Sequence, residues 1–166
     1  MPKRLEGSSP SVRTTLLAPF ALAEPVKPDL QFSVLCDDVR REDNGKLMLI
    51  GLFELIAGAE FPLVYPGMAV INRWCNGLGS FNQRVRIVDG ANVTLVETPY
   101  SLLVLDDLRA TVTAVSLLRN VVLPAPGRYS VEVLLDGDLK QRYALGVAAI
   151  APPPEGWGQA GGHRAA

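Results

Sequence analysis

Acidic residues in pairs are the side chains of this chain best placed to do chemistry. They are Asp37 and Asp38, Glu42 and Asp43, Asp106 and Asp107, and Asp136 and Asp138. Loops at one end of a β-sandwich can pool such carboxylates around calcium, which takes about six to eight oxygen ligands. Each pair also lies beside turn residues, where Asp bonds its own backbone. No loop has EF-hand spacing. Turn chemistry accounts for the pattern, so no metal and no cofactor is expected. Arg73, Arg84 and Arg86 form a second candidate, an anion-binding face. Planar guanidinium groups suit phosphate or carboxylate. The plainer reading is a solvated face paired with acidic neighbours. Tyr65, Trp74 and Tyr100 could line a sugar-binding surface, although buried aromatics belong more often to a core.

Other chemistry is excluded by composition. The one histidine, His163, lies near the C-terminus, and Cys36 and Cys75 are the only cysteines. They cannot complete a four-ligand zinc site, nor a Ser-His-Asp or Cys-His centre within the predicted domain. No phosphate-binding glycine loop occurs, and Gly77-Leu-Gly79 reads as a turn. A carboxylate-only enzyme, such as a glycosidase pair, stays an option. The reading favoured here is no enzyme. The formal charge of −1 gives no field to draw the chain onto nucleic acid. No apolar run reaches the roughly 20 residues of a spanning helix, so no membrane insertion is expected. Asn92-Val-Thr94 matches the glycosylation acceptor pattern, which matters only in a secreted protein.

The elements that must position these residues read as strands. Tyr129, Val131, Val133 and Leu135 alternate with Arg128, Ser130 and Glu132, between Pro126-Gly127 and Asp136-Gly137. That is a strand with one wet face, as in an antiparallel sheet covered by a second layer. Phase requires a three-residue loop after Leu135, or a bulge of equal effect, so that Val131 meets Tyr143 and Tyr129 meets Leu145. Leu30, Phe32, Val34 and Cys36 begin another strand. Asn44-Gly45 then suggests a two-residue hairpin loop. That loop pairs Asp43 with Lys46, Cys36 with Phe53 and Val34 with Leu55, and puts Cys36 on the core face.

The returning strand, Lys46 to Ile56, is apolar on both sides. Leu47, Leu49, Phe53 and Leu55 point to the core, and Met48, Ile50, Leu52 and Ile56 point away. That second row is a candidate interaction face, to be covered by an N-terminal arm, a loop or another subunit. A second hairpin is expected at Asn76-Gly77, setting Met68 opposite Val85, Val70 opposite Gln83 and Asn72 opposite Phe81. It puts Trp74 inside and Arg73, Arg84 and Arg86 together outside. Further strands are expected near Val93–Glu97 and Ala110–Leu118. Ser101–Leu118 also has helical spacing, but its β-branched Thr111, Val112, Thr113 and Val115 favour strand. Both thiols are expected to be free.

Residues 1–28 read as a flexible arm, 29–148 as a β-sandwich domain and 149–166 as a disordered tail. Leu16–Ala23 is a short apolar segment. Pro19 within it and Glu6 before it argue against a secretory signal. A cytoplasmic location is the reading, with export as the alternative.

Three segments together carry a resemblance: Cys36-Asp-Asp-Val-Arg, Gly45-Lys-Leu-Met-Leu-Ile-Gly-Leu-Phe53, and Pro126-Gly-Arg-Tyr-Ser-Val-Glu-Val with Asp136-Gly137. Over about residues 30–147 the chain resembles a family of small bacterial proteins known only as a domain of unknown function. The resemblance implies a β-sandwich and carries over no catalytic residue. The closing Gly-x-Tyr strand is similar to those of many immunoglobulin-like and carbohydrate-binding sandwiches.

The expected fold is therefore all-β, a two-layer antiparallel sandwich of immunoglobulin-like general architecture. The expected role is a protein-interaction or assembly module, self-associating through a sheet face or binding a protein partner. The alternative is an extracytoplasmic sandwich that binds carbohydrate or calcium.

Overall fold

The computed structural model describes residues 24–151. The chain runs through β1 (Asp29–Arg41), β2 (Leu47–Leu52), β3 (Leu55–Gly58), β4 (Leu63–Cys75), β5 (Gly79–Val88), β6 (Thr94–Glu97), β7 (Ser101–Leu105), β8 (Val112–Leu123), β9 (Gly127–Leu135) and β10 (Asp138–Ala149). The described residues contain no helix; Ser101–Leu118 folds as β7, a turn over 106–111 and the first part of β8, so the strand reading favoured by Val112, Thr113 and Val115 holds outside that turn. Two sheets form. One has the order β2-β1-β4-β8, and the other β3-β10-β9-β5-β6, with β7 also paired to β5. All pairs are antiparallel except β3 with β10.

The core lies between the sheets. Leu35, Met68, Val70, Leu118 and Val121 from one meet Val85, Ile87, Tyr129, Val131, Leu145 and Val147 from the other. A second cluster gathers Trp74, Phe81, Leu103, Leu105, Val133 and Leu135. Burial of this apolar surface is what holds two such sheets face to face. Between the clusters sit four polar groups that composition did not announce. Trp74 Nε1 donates to Gln83 Oε1 at 2.5 Å, Asn72 Nδ2 donates to the same oxygen at 3.2 Å, and Gln83 Nε2 donates to Ser116 Oγ at 3.2 Å.

The closing hairpin solves its phase problem in the bulged form. Asp136 (φ 50°) and Gly137 (φ 88°) make a two-residue turn. Leu135 pairs with Asp138 and Leu134 with Leu139, and a shift before Gln141 then restores the expected pairs, Val131 with Tyr143 and Tyr129 with Leu145. The Tyr129 hydroxyl donates to the Ala125 carbonyl at 2.7 Å and closes the turn that enters β9.

Both Asn-Gly hairpins differ from expectation. At Asn44-Gly45 the loop has three residues. Glu42 N–H donates to Lys46 O and Gly45 N–H to Glu42 O, with Gly45 at φ 85°. The register moves by one, and Arg41 pairs with Leu47 and Cys36 with Leu52. A one-residue slip exchanges the faces. Leu35, not Cys36, enters the main core, and Cys36 packs with Ala69 and Ile71 on the outer side of the four-stranded sheet. At Asn76-Gly77 the chain does not turn back at all. It crosses from β4 in one sheet to β5 in the other. Met68 and Val85 do share the core, but across the sandwich, not along a ladder.

The tip of the β1–β2 hairpin folds back over its own sheet. Gly45, Lys46, Leu47 and Leu49 line one depression with Phe32, Ile71, Arg73 and Thr113. Val39 and Leu49 cover Cys36 and Ile71. The hairpin thus covers Cys36 of β1 and Ala69 and Ile71 of β4 on the side away from the main core.

Candidate interaction surfaces

The row Met48, Ile50, Leu52 and Ile56 is not one face. Gly51 has φ 67°, with Asp37 Oδ2 against the position a Cβ would take, and the chain leaves the sheet after Leu52. Residues 53 and 54 cross to the other sheet, where β3 begins. Ile56 is therefore 3 % exposed within the core, whereas Met48 and Leu52 are 46 % and 63 % exposed. Ile50 is half-buried.

The three arginines are also separated. Arg73 pairs with Phe32 and Thr113 on the outer side of the four-stranded sheet. Arg84 and Arg86 lie on the outer side of the six-stranded sheet, because β4 and β5 belong to different sheets. There they enter a network. Glu132, 1 % exposed, accepts from Arg86 Nε and forms an ion pair with Arg142 Nη2 at 2.5 Å. Arg142 also donates to Asn92 Oδ1, and Arg84 pairs with Glu97 at 2.7 Å and stacks on Tyr100 at 4.0 Å. Arg84 Nε is buried without a partner among the described residues. The positive charges are thus largely answered by carboxylates along one cross-strand ladder, Arg142–Glu132–Arg86–Glu97. Glu132 was placed on the wet face by its alternation. Its burial comes from two long arginines on neighbouring strands, which β9 alone could not reveal.

The aromatic trio is dispersed. Trp74 is in the core, as its inward phase implied. Tyr65 packs against Phe53 at 5.7 Å, and Tyr100 sits beneath Arg84. The acidic residues are taken up by separate local and cross-strand bonds. Asp107 accepts from Arg109 N within its turn, Asp38 from Val39 N within β1, and Asp136 from Asn82 N on β5. Asp138 takes Lys27 at 2.7 Å, which lowers the acid's pKa and raises the lysine's. Asp37 accepts from the Tyr65 hydroxyl at 2.5 Å. Burial first, and then this bond, push the Tyr65 phenol up to about 12. Among the described residues no three His, Cys, Asp or Glu side chains come together as metal ligands.

Cys36 is buried and Cys75 half-buried, and both thiols are free. Burial, and then the neighbouring Asp37, push the Cys36 thiol up. No helix among the described residues is long and apolar enough to cross a membrane.

Two surfaces remain after these assignments. The first is the edge of the four-stranded sheet. Its last strand, β8, has 12 residues and pairs only with β4. The straight part runs from Val112 to Leu118, before Asn120 (φ 50°), opposite Pro66, breaks the phase. Its outward row is Thr113, Val115, Leu117 and Arg119, and Val115 and Leu117 are 37 % and 56 % exposed. Long apolar edges are what monomeric sheets ordinarily blunt with charge or proline. The second surface is a crevice between the sheets on the opposite side, with a volume of about 590 Å³. Leu35, Leu52, Phe53 and Leu55 line it, and Ser33 Oγ and Tyr143 Oη bond at 3.1 Å beside them.

An all-β sandwich with its open sites at sheet margins is the class this geometry defines. Residues 31–148 match the model of a family of unknown function, DUF6941. The chain belongs to that family, in keeping with the resemblance read from Cys36-Asp-Asp-Val-Arg and the Pro126-Gly-Arg-Tyr strand. The comparison with curated proteins found no match.

Proposed function

We propose that this domain is a non-enzymatic assembly module that pairs with a second copy through β8. The observation that carries this reading is the bare edge. Ladder bonds on one side of β8 reach β4, and no strand occupies the other side among the described residues. An antiparallel pair centred on Ser116 sets Val115 against Leu117 of a second copy, and Thr113 against Arg119. No like charges meet. Such a two-fold contact is isologous and closes on itself. It adds main-chain bonds to apolar cross-strand pairs, the recurring mode of strand addition. Two free thiols suit a reducing compartment, which supports a cytoplasmic setting.

The test is light scattering across a dilution series of full-length protein and of Leu117→Lys. An edge lysine opposes strand addition. The expected result is a dimer that the substitution weakens at least about tenfold, near 1.4 kcal/mol. A monomer throughout the wild-type series would exclude self-pairing.

A further inference from the structure

We propose that the crevice between β1 and β10 is the seat of this chain's own C-terminal segment, with Trp157 as its anchor. The crevice belongs to a part of the sandwich where both sheets stop short. β2 pairs with β1 only over Cys36–Arg41, and β3 pairs with β10 only over Gly146–Ala149. The first half of β1 and of β10 therefore have open edges there. Leu35 O accepts from Phe53 N at 3.3 Å, so it points to this side. By strand alternation, the Ser33 backbone points the same way.

The position of the chain's exit favours the C-terminal segment as occupant. Ile150 N–H donates to Gly58 O at 3.0 Å, which ties residue 150 to the end of β3. Going back along β3 from Gly58 to Phe53 covers about 17 Å at the rise of a strand. Trp157 is six positions beyond Ala151, and a sequence that opens Pro152-Pro-Pro154 favours extended chain. At about 3.1 Å per residue those positions span about 19 Å. The path between exit and crevice is marked by exposed apolar side chains, Ile150, Leu55 and Leu52. An indole needs an apolar bed for its ring and an acceptor for its N–H. Leu35, Phe53 and Leu55 supply the bed, and the bonded Ser33 and Tyr143 hydroxyls lie at the same site. The described start of the chain, residues 24–28, lies elsewhere. Val26 pairs with Leu78, and Pro25 lies beside Gly79, over the β4–β5 crossing.

The seat is read by tryptophan fluorescence of the full chain. Trp74 is fully buried, so the difference between wild type and Trp157→Phe isolates Trp157. The expected Trp157 emission is blue-shifted, and acrylamide quenches it several-fold less than in a chain carrying Leu52→Asp and Leu55→Asp. Both leucines are surface residues, and Leu52→Asp alone serves if the double variant fails to fold. The protection should persist on dilution and in the Leu117→Lys background, which separates this inference from pairing through β8. Equal quenching in wild type and variant overturns it. So does protection lost on dilution, which would assign the crevice to the tail of a second copy.

Discussion

At the scale of single residues, buried polar contacts decide what this domain tolerates. Glu132 is the sharpest case. Its carboxylate is almost fully withdrawn from water and is answered by two arginines that keep partial access to it. Removing Arg86 leaves the buried carboxylate with Arg142 alone and one oxygen unanswered, whereas removing the acid leaves two cations that can reach solvent. Arg86→Ala should therefore cost more stability than Glu132→Gln. About 2–3 kcal/mol is expected for the arginine, below the full cost of breaking a buried pair because Arg86 is partly exposed. Urea midpoints of the two variants check the order. Tyr65 gives a pH signature. Its folded pKa, about 12, lies above the ordinary value of 10.0. The unfolded chain then releases its proton first as pH rises. The stabilisation is whole below pH 10 and is lost through pH 12. Tyr143, raised by burial, acts in the same direction. Absorbance titration of phenolate should show Tyr65 ionising late, and Tyr65→Phe should flatten the alkaline loss of stability.

At the scale of elements, turns govern which face each side chain takes. Asn44-Gly45 reads as a hairpin correctly, but the same dipeptide serves a two-residue loop or a longer one with glycine at positive φ. The choice made here moved Cys36 out of the main core and left its burial to the folded-back hairpin. Asp136-Gly137 was legible further, because apolar phase on both flanking strands demanded a bulge. Asn76-Gly77 was not, since a turn at a sheet crossing and a turn within a hairpin use the same residues. That missed crossing also explains the supposed clustering of Arg73 with Arg84 and Arg86. The cover over Cys36 makes a kinetic prediction. Local opening of a hairpin exposes only what it covers. A thiol reagent should modify Cys75 quickly and Cys36 slowly in the native protein. Gly51→Ala should speed Cys36 modification, since a Cβ there meets the Asp37 carboxylate and the backbone has positive φ. Equal rates in wild type and variant would show that the hairpin does not gate the thiol.

At the scale of the whole molecule, alternation along β9 announced two layers, and composition announced a chain without histidine chemistry in its core. The edges were not legible, because an unpaired strand is a property of sheet order and β8 reads like any other strand. Sheet order therefore carries the functional argument, and it carries a thermodynamic consequence. If native chains pair through β8, association stabilises the folded state by mass action, and the unfolding temperature must rise with protein concentration. Above the dissociation constant, tenfold more protein adds about 0.7 kcal/mol per chain, half of the 1.4 kcal/mol shared by a dimer. For a domain of this size that is a rise of roughly 2–4 °C in Tm. Leu117→Lys should flatten the dependence while changing the Tm of the dilute protein little, because the side chain lies outside the core. Calorimetry of both proteins over two decades of concentration separates the cases. A concentration-independent wild-type Tm would mean that the β8 edge stays bare in the native protein.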